Sequence, residues 1–141
     1  MLIHLQPEQV SGNWEVLAPL FAMSLPQNMT GKDGMASILR AALLERLQVW
    51  VYQDDEGVGF VVSTTMVGDP VTGMKSLLIY SLSAVNEIKK AMWSDAFDTL
   101  SRFAKSRGAS SIRAYSDDKR IVKYAASQGA NTSSTLIEFP I

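Results

Sequence analysis

Two adjacent lysines, Lys89 and Lys90, stand in the first turn of a long helix that the chain spells from Glu87 to Arg107. The helix dipole disfavours cations at that end by roughly 0.3–1 kcal/mol each. A pair of cations kept there could bind an anion such as a phosphate, or could be two solvated side chains beside Glu87. Three tyrosines, Tyr80, Tyr115 and Tyr124, carry phenols that could give up a proton, although Tyr80 and Tyr115 also fit as ordinary sheet aromatics. Little other chemistry is on offer. The chain has no cysteine, which excludes disulfides and thiolates, and its single histidine, His4, cannot build a histidine-based metal site, so no metal is expected. Asp54-Asp55-Glu56 looks like a solvated hairpin tip, and Asp98 can pair with Arg102 one helical turn on. Lys119, Arg120 and Lys123 form a basic cluster without interleaved aromatics, a weak signal for nucleic acid.

The elements that must position these groups follow from periodicity. Leu2 to Leu5 suits an opening strand, and Pro7 suits the start of a helix running toward Leu25, divided or kinked at Pro19 and stopped by Pro26. After a loop from Gln27 to Lys32, Asp33 caps an amphipathic helix in which Met35, Ile38, Leu39, Ala42, Leu43 and Leu47 recur at three- and four-residue steps. Val49 to Gln53 and Val58 to Val67 form a hairpin, and Lys75 to Val85 supplies the next strand after a turn rich in breakers.

In the helix from Glu87, the residues Ile88, Met92, Trp93, Ala96, Phe97, Leu100, Phe103 and Ala104 keep helical spacing, and Gly108 stands where a left-handed cap belongs. Trp93 is expected as a core anchor. Ser110 to Tyr115 then reads as a strand, and Ser116 or Asp117 caps a helix reaching Gln128. Ser134 to Phe139 reads as a last strand. The crossover helix makes the strands at Lys75 and Ser110 parallel. These elements predict an α+β fold in one domain, 1–141. Its central sheet is mixed antiparallel and parallel, with about six strands flanked by about four helices.

At 141 residues the chain is long enough for one real core, and nearly half of it is apolar. Thirteen basic and fourteen acidic side chains nearly cancel, so no global field steers it to nucleic acid or an anionic membrane. No run of eighteen apolar residues occurs, and the first ten residues lack a basic, apolar leader, which predicts a soluble, cytoplasmic protein.

The order of elements resembles the GCN5-related N-acetyltransferases over essentially the whole chain. Three local pieces carry the resemblance: Val58-Gly59-Phe60 after a polar turn, the phrase from Arg102 to Gly108 closing the long helix, and the stretch from Asp118 to Ala130. In that family acyl-CoA runs beside the strand placed here at Lys75 to Val85, and its pyrophosphate sits on the N-terminus of the helix that follows. The resemblance thus implies an acetyl-CoA site at Leu82, Ser83, Ala84, Val85, Lys89, Lys90, Ala91 and Met92, with Tyr80, Tyr115 and Tyr124 as candidate catalytic phenols.

The sequence departs from the family pattern in two places. No glycine occurs between Gly73 and Gly108, and Trp93 falls at a position that wants no side chain. Ala125 falls at the tyrosine that many members use as general acid, with Tyr124 one residue away and about 100° round the helix. Together these predict a catalytically degenerate member acting as a binding or assembly module, with a protein partner or as a homo-oligomer. Phage-encoded, virion-associated proteins are among such divergent members, which would place this one in a host cytoplasm or a virion. The alternatives are an acetyl-CoA-dependent N-acyltransferase acting on an amine, and an acyl-CoA sensor without turnover. An open, basic helix entrance between Asn86 and Trp93 favours CoA; a plugged entrance beside an apolar patch favours assembly.

Overall fold

A computed structural model describes residues 1–26, 31–116 and 118–141. The elements, in chain order, are β1 (Leu2–His4), α1 (Pro7–Gly12), α2 (Trp14–Ser24), α3 (Lys32–Leu43), β2 (Gln48–Asp54), β3 (Gly57–Gly68), β4 (Lys75–Ala84), α4 (Lys90–Ser106), β5 (Ala109–Ala114) and α5 (Lys119–Ser127). The strands form one sheet in the order β1-β2-β3-β4-β5, antiparallel throughout except for the parallel β4–β5 pair that α4 connects. This is the mixed sheet with flanking helices that the pattern predicts.

Alternation along the central strands divides the interior in two. On one face Trp50, Tyr52, Phe60, Val62 and Leu77 pack against Met92, Ala96, Leu100 and Ala104, which recur every fourth residue along α4. On the other face Val49 and Val61 meet Val10, Leu17, Phe21, Ile38 and Ala42 from the three N-terminal helices. Strand neighbours such as Val49 and Trp50 thus enter opposite cores, as a period of two requires.

Several expected boundaries move. The first helix divides at Asn13 rather than Pro19: the Asn13 side chain donates to the Gln9 carbonyl (2.7 Å), while its own carbonyl accepts from Val16 and Leu17 (both 3.0 Å) and starts α2. Pro19 lies inside α2. Gly31 caps α3, with Asp33 in its first turn, and the helix ends at Leu43, so Leu47 joins the core from the loop before β2. Of the loop expected over Gln27 to Lys32, residues 27–30 lie outside the described residues, and so does the candidate cap Asp117. The observed cap of α5 is Asp118, which accepts from the Arg120 N–H.

The largest difference lies at the far end. Among the described residues there are five strands and five helices, where about six and about four are expected. Ser134 to Phe139 forms no strand. Leu136, Ile137 and Phe139 are 68%, 73% and 83% exposed, and α5 buries none of its residues. A strand exists only with a neighbour to take its backbone hydrogen bonds, and this segment has none among the described residues.

Candidate acyl-CoA site

The site is built where β4 and β5 part. Their parallel pairing runs from Lys75↔Ala109 to Ile79↔Ala114 and stops, while β4 continues to Ala84 paired with β3 alone. The edge of β4 from Tyr80 to Ala84 that faces away from β3 therefore has no strand beside it among the described residues. The β3–β4 register also slips here, from Ser63↔Ser81 to Thr64↔Ile79, so Tyr80 is the extra residue of a β-bulge. Bulges bend a strand and free backbone groups from the ladder. Tyr80 and Tyr115 are the first residues beyond the last β4–β5 pair, so the fold brings these two together at the crotch of the fork.

Their environments differ. Tyr80 is half-buried against the core of the N-terminal helices, whereas Tyr115 is 67% exposed. Tyr124 lies on α5, apart from the register that joins the other two. Among the described residues none of the three phenols has a hydrogen-bond partner.

The side chains of the cofactor candidates on β4 are largely committed to structure. Leu82 packs on the α4 core. Ser83 donates to the Leu20 carbonyl, and its neighbour Ser81, outside the candidate set, shares a hydrogen bond with Ser63. The Val85 N–H donates to the Gly59 carbonyl (2.9 Å), and Ala84 is exposed at the strand end, opposite Phe60. What this strand offers a ligand is its backbone edge.

The helix that follows opens at Lys90 with Lys89 as its cap, three residues later than the periodicity from Glu87 suggests. No acidic residue stands in its first turn, and Lys89, Lys90 and Ala91 are exposed. Met92 is not. Its side chain curls back over Gly59, its sulfur accepts from the Lys89 N–H (3.5 Å), and its own N–H is taken by the Lys89 carbonyl (3.0 Å). The first-turn N–H groups of Lys90 and Ala91 find no backbone acceptor among the described residues, so they and the two ammonium groups make up the basic entrance.

Trp93 turns inward, half-buried, and stacks on Phe60 with ring centroids 5.6 Å apart; Phe60 stacks in turn on Tyr52 at 4.8 Å. The indole is expected as a core anchor, but it is only half-buried and touches the core through Phe60 without belonging to its buried set. A shallow recess beside that entrance is lined by Asp54, Glu56, Glu87 and Lys89, so acidic groups outnumber basic ones there.

Gly59, part of the Val58-Gly59-Phe60 piece but not among the candidate site residues, shapes the helix entrance. It is the extra residue of a second bulge, between Tyr52↔Phe60 and Gln53↔Val58, and its carbonyl accepts from both Val85 and Asn86 (2.9 and 3.2 Å). A lone glycine inside a strand pattern is the available signal for such a feature.

No protein-family model and no curated protein sequence matches this chain. Solved structures do. AAC(6')-Iy in complex with the bisubstrate analogue CoA-S-monomethyl-acetylneamine is 11% identical over 100% of this chain and 97% of its own, with a TM-score of 0.75. An aminoglycoside acetyltransferase from an uncultured soil metagenomic sample, in complex with sisomicin, gives 12%, 100%, 94% and 0.72. A ribosomal-protein-alanine N-acetyltransferase from Brucella melitensis biovar Abortus 2308 gives 16%, 99%, 99% and 0.64. The fold of this chain is that of the GCN5-related N-acetyltransferases. No helix among the described residues is long and apolar enough to cross a membrane.

Proposed function

We propose that this protein is an acetyl-CoA-dependent N-acyltransferase acting on an amine. One observation carries the reading: the β4 edge from Tyr80 to Ala84 lies unpaired where β5 departs, and the chain then leads to a helix entrance that is open and carries Lys89 and Lys90. An extended ligand with amide groups can add to such an edge as a strand would, and a pyrophosphate suits exposed helix N–H groups flanked by cations. The neighbour solved with a CoA-based bisubstrate analogue supports the same placement at the level of fold.

These features favour transfer over the degenerate binding module that the missing glycines suggest. Glycines let a backbone wrap a phosphate closely; here two exposed ammonium groups and two unpaired N–H groups offer charge in their place. The carboxylates of Asp54, Glu56 and Glu87 oppose that attraction, so the affinity expected is moderate.

Bound acetyl-CoA would supply an activated acyl group. An acceptor amine entering the fork would attack the thioester carbon, forming C–N as C–S breaks, with the proton of the amine lost to solvent. A backbone N–H freed at the Tyr80 bulge would polarise the thioester carbonyl. The exposed phenol of Tyr115, across the fork, is the candidate donor to the leaving sulfur. Orientation alone can contribute roughly 7–11 kcal/mol to such a reaction, so the phenol adds to the rate and is not its sole source.

Isothermal titration with acetyl-CoA and with CoA tests the reading. Micromolar binding, with acetyl transfer to at least one amine in a panel of polyamines, aminoglycosides and peptide N-termini, is the expected result. No heat and no thermal shift at millimolar ligand would overturn it.

A further inference from the structure

A second recess, of about 70 Å³, lies at the other end of α4 from Lys89. β1 ends there at His4 and β2 begins there at Gln48, while Glu45 enters from the loop after α3 and Arg107 from the cap that closes α4. Val10 and Leu47 give the recess apolar walls. The 17 residues of α4 span about 25 Å, so this recess is distinct from the acyl-CoA entrance.

Three of its polar groups lack the partner their chemistry calls for. Gln48 is only 8% exposed, and its amide oxygen accepts from Thr64 Oγ1 (2.9 Å), which in turn accepts from Trp50 Nε1 (2.9 Å). The indole can only donate, so this chain fixes which way the Gln48 amide points. Its NH2 has no acceptor among the described residues. No polar side-chain atom among those residues is sealed from solvent without a partner, so the NH2 opens into the recess that Gln48 lines. Arg107 and Glu45 bring opposite charges to the same walls, yet neither takes part in an ion pair among the described residues. Both act on His4: after burial, Arg107 lowers its pKa and Glu45 raises it. Glu45 also holds φ at 58°, the left-handed cap position where a glycine would be less strained.

A ligand that satisfies all three groups carries a carboxylate for the Arg107 guanidinium and the Gln48 NH2, and a cation for Glu45. Size narrows the choice. A water-sized group needs roughly 10–15 Å³ of such space, so the recess holds about five to seven non-hydrogen atoms. We infer that it binds a small free α-amino acid, of the size of glycine or alanine, with the carboxylate against Arg107 and Gln48 and the ammonium against Glu45. A simple anion would be opposed by Glu45 and a simple cation by Arg107, whereas the zwitterion meets each charge with its opposite. The inference goes beyond the acyl-transfer reading and stands without it.

His4 is the single histidine of the chain, so its imidazole C–H resonance is an unambiguous probe of the recess. Titration of the full chain with glycine at neutral pH should move that resonance saturably, half-complete at about 1 mM, the range open to so small a ligand. Alanine should act alike. Acetate and methylamine, each carrying one half of the ligand, and leucine, too large for the recess, should need about ten times the concentration or more. Arg107→Gln and Glu45→Gln lie at exposed positions and should fold normally, and each should weaken glycine binding by about tenfold. No saturable shift up to about 50 mM glycine would overturn the inference. So would acetate matching glycine, or both variants binding glycine as tightly as the native protein.

Discussion

Met92 and Gly59 share one small volume: a Cβ added at Gly59 would lie 2.6 Å from the Met92 Cε and 3.6 Å from Tyr52 Cδ1. Met92 in turn holds its sulfur against the Lys89 N–H at the cap of α4. Gly59→Ala displaces only the flexible end of the methionine, so the expected loss of stability is about 1 kcal/mol. Gly59→Val, which also presses on Tyr52, should cost more, about 2 kcal/mol. Urea denaturation checks both values, and acetyl-CoA titration of Gly59→Ala should show weakened binding through the disturbed cap.

Lys89→Ala/Lys90→Ala should weaken acetyl-CoA binding by about 3- to 30-fold, taking roughly 0.3–1 kcal/mol for each cation and tenfold per 1.4 kcal/mol. The native protein should bind less tightly at high salt, and the double variant should show a flatter salt dependence. Equal affinity in the two proteins would separate the lysines from the site.

The tyrosines should separate by role. If the phenol at the mouth of the fork protonates the leaving sulfur, Tyr115→Phe lowers kcat by about 100-fold with KM little changed, at the low end of general acid effects, while Tyr124→Phe stays within about twofold. Tyr80 packs against the core, so Tyr80→Phe should leave the melting temperature nearly unchanged and Tyr80→Ala should lower it. Steady-state kinetics with the best amine of the panel, alongside thermal melts, distinguishes these outcomes.

His4 should make stability depend on pH. Burial, and secondarily the positive charge of Arg107, hold its pKa below the usual histidine value of 6.5. It stacks on Trp50 at 4.5 Å. The unfolded chain therefore takes up the proton first as pH falls, so stability is full above about 6.5 and declines below it until the folded form also protonates. His4→Phe keeps the stacked ring without the titration, and should flatten the melting temperature between pH 7.5 and 5. Asp69 and Asp118, both held below the usual carboxylate value by local hydrogen bonds, act in the lower window beneath 3.8 and should leave this difference untouched.

Strong periodicity made most of the fold legible. The apolar positions of α4 at four-residue steps, and the alternation through Val49 to Tyr52, name their own partners, and the parallel β4–β5 pair follows from the crossover helix. Boundaries depended on finer competition. Asn13 ended α1 because its side chain could reach back to the Gln9 carbonyl, a local hydrogen bond that outweighed Pro19 as a divider. The strand at Ser134 to Phe139 was legible as a propensity and not as a structure, since pairing needs an edge that pattern alone does not supply. In the candidate site, the motif drew attention to missing glycines after β4. The features that shape the site are two bulges, at Gly59 and Tyr80, set by the register between paired strands.

The partition of the interior by β2 and β3 bears on how the molecule comes apart. Val49, Trp50, Val61 and Val62 feed alternate cores, so neither side can lose its packing without loosening strands that the other side needs. Two hydrophobic clusters should therefore melt in one calorimetric step. The slowest amides to exchange with deuterium should lie between Val49 and Thr64, and those from Lys119 onward should exchange first in the isolated chain.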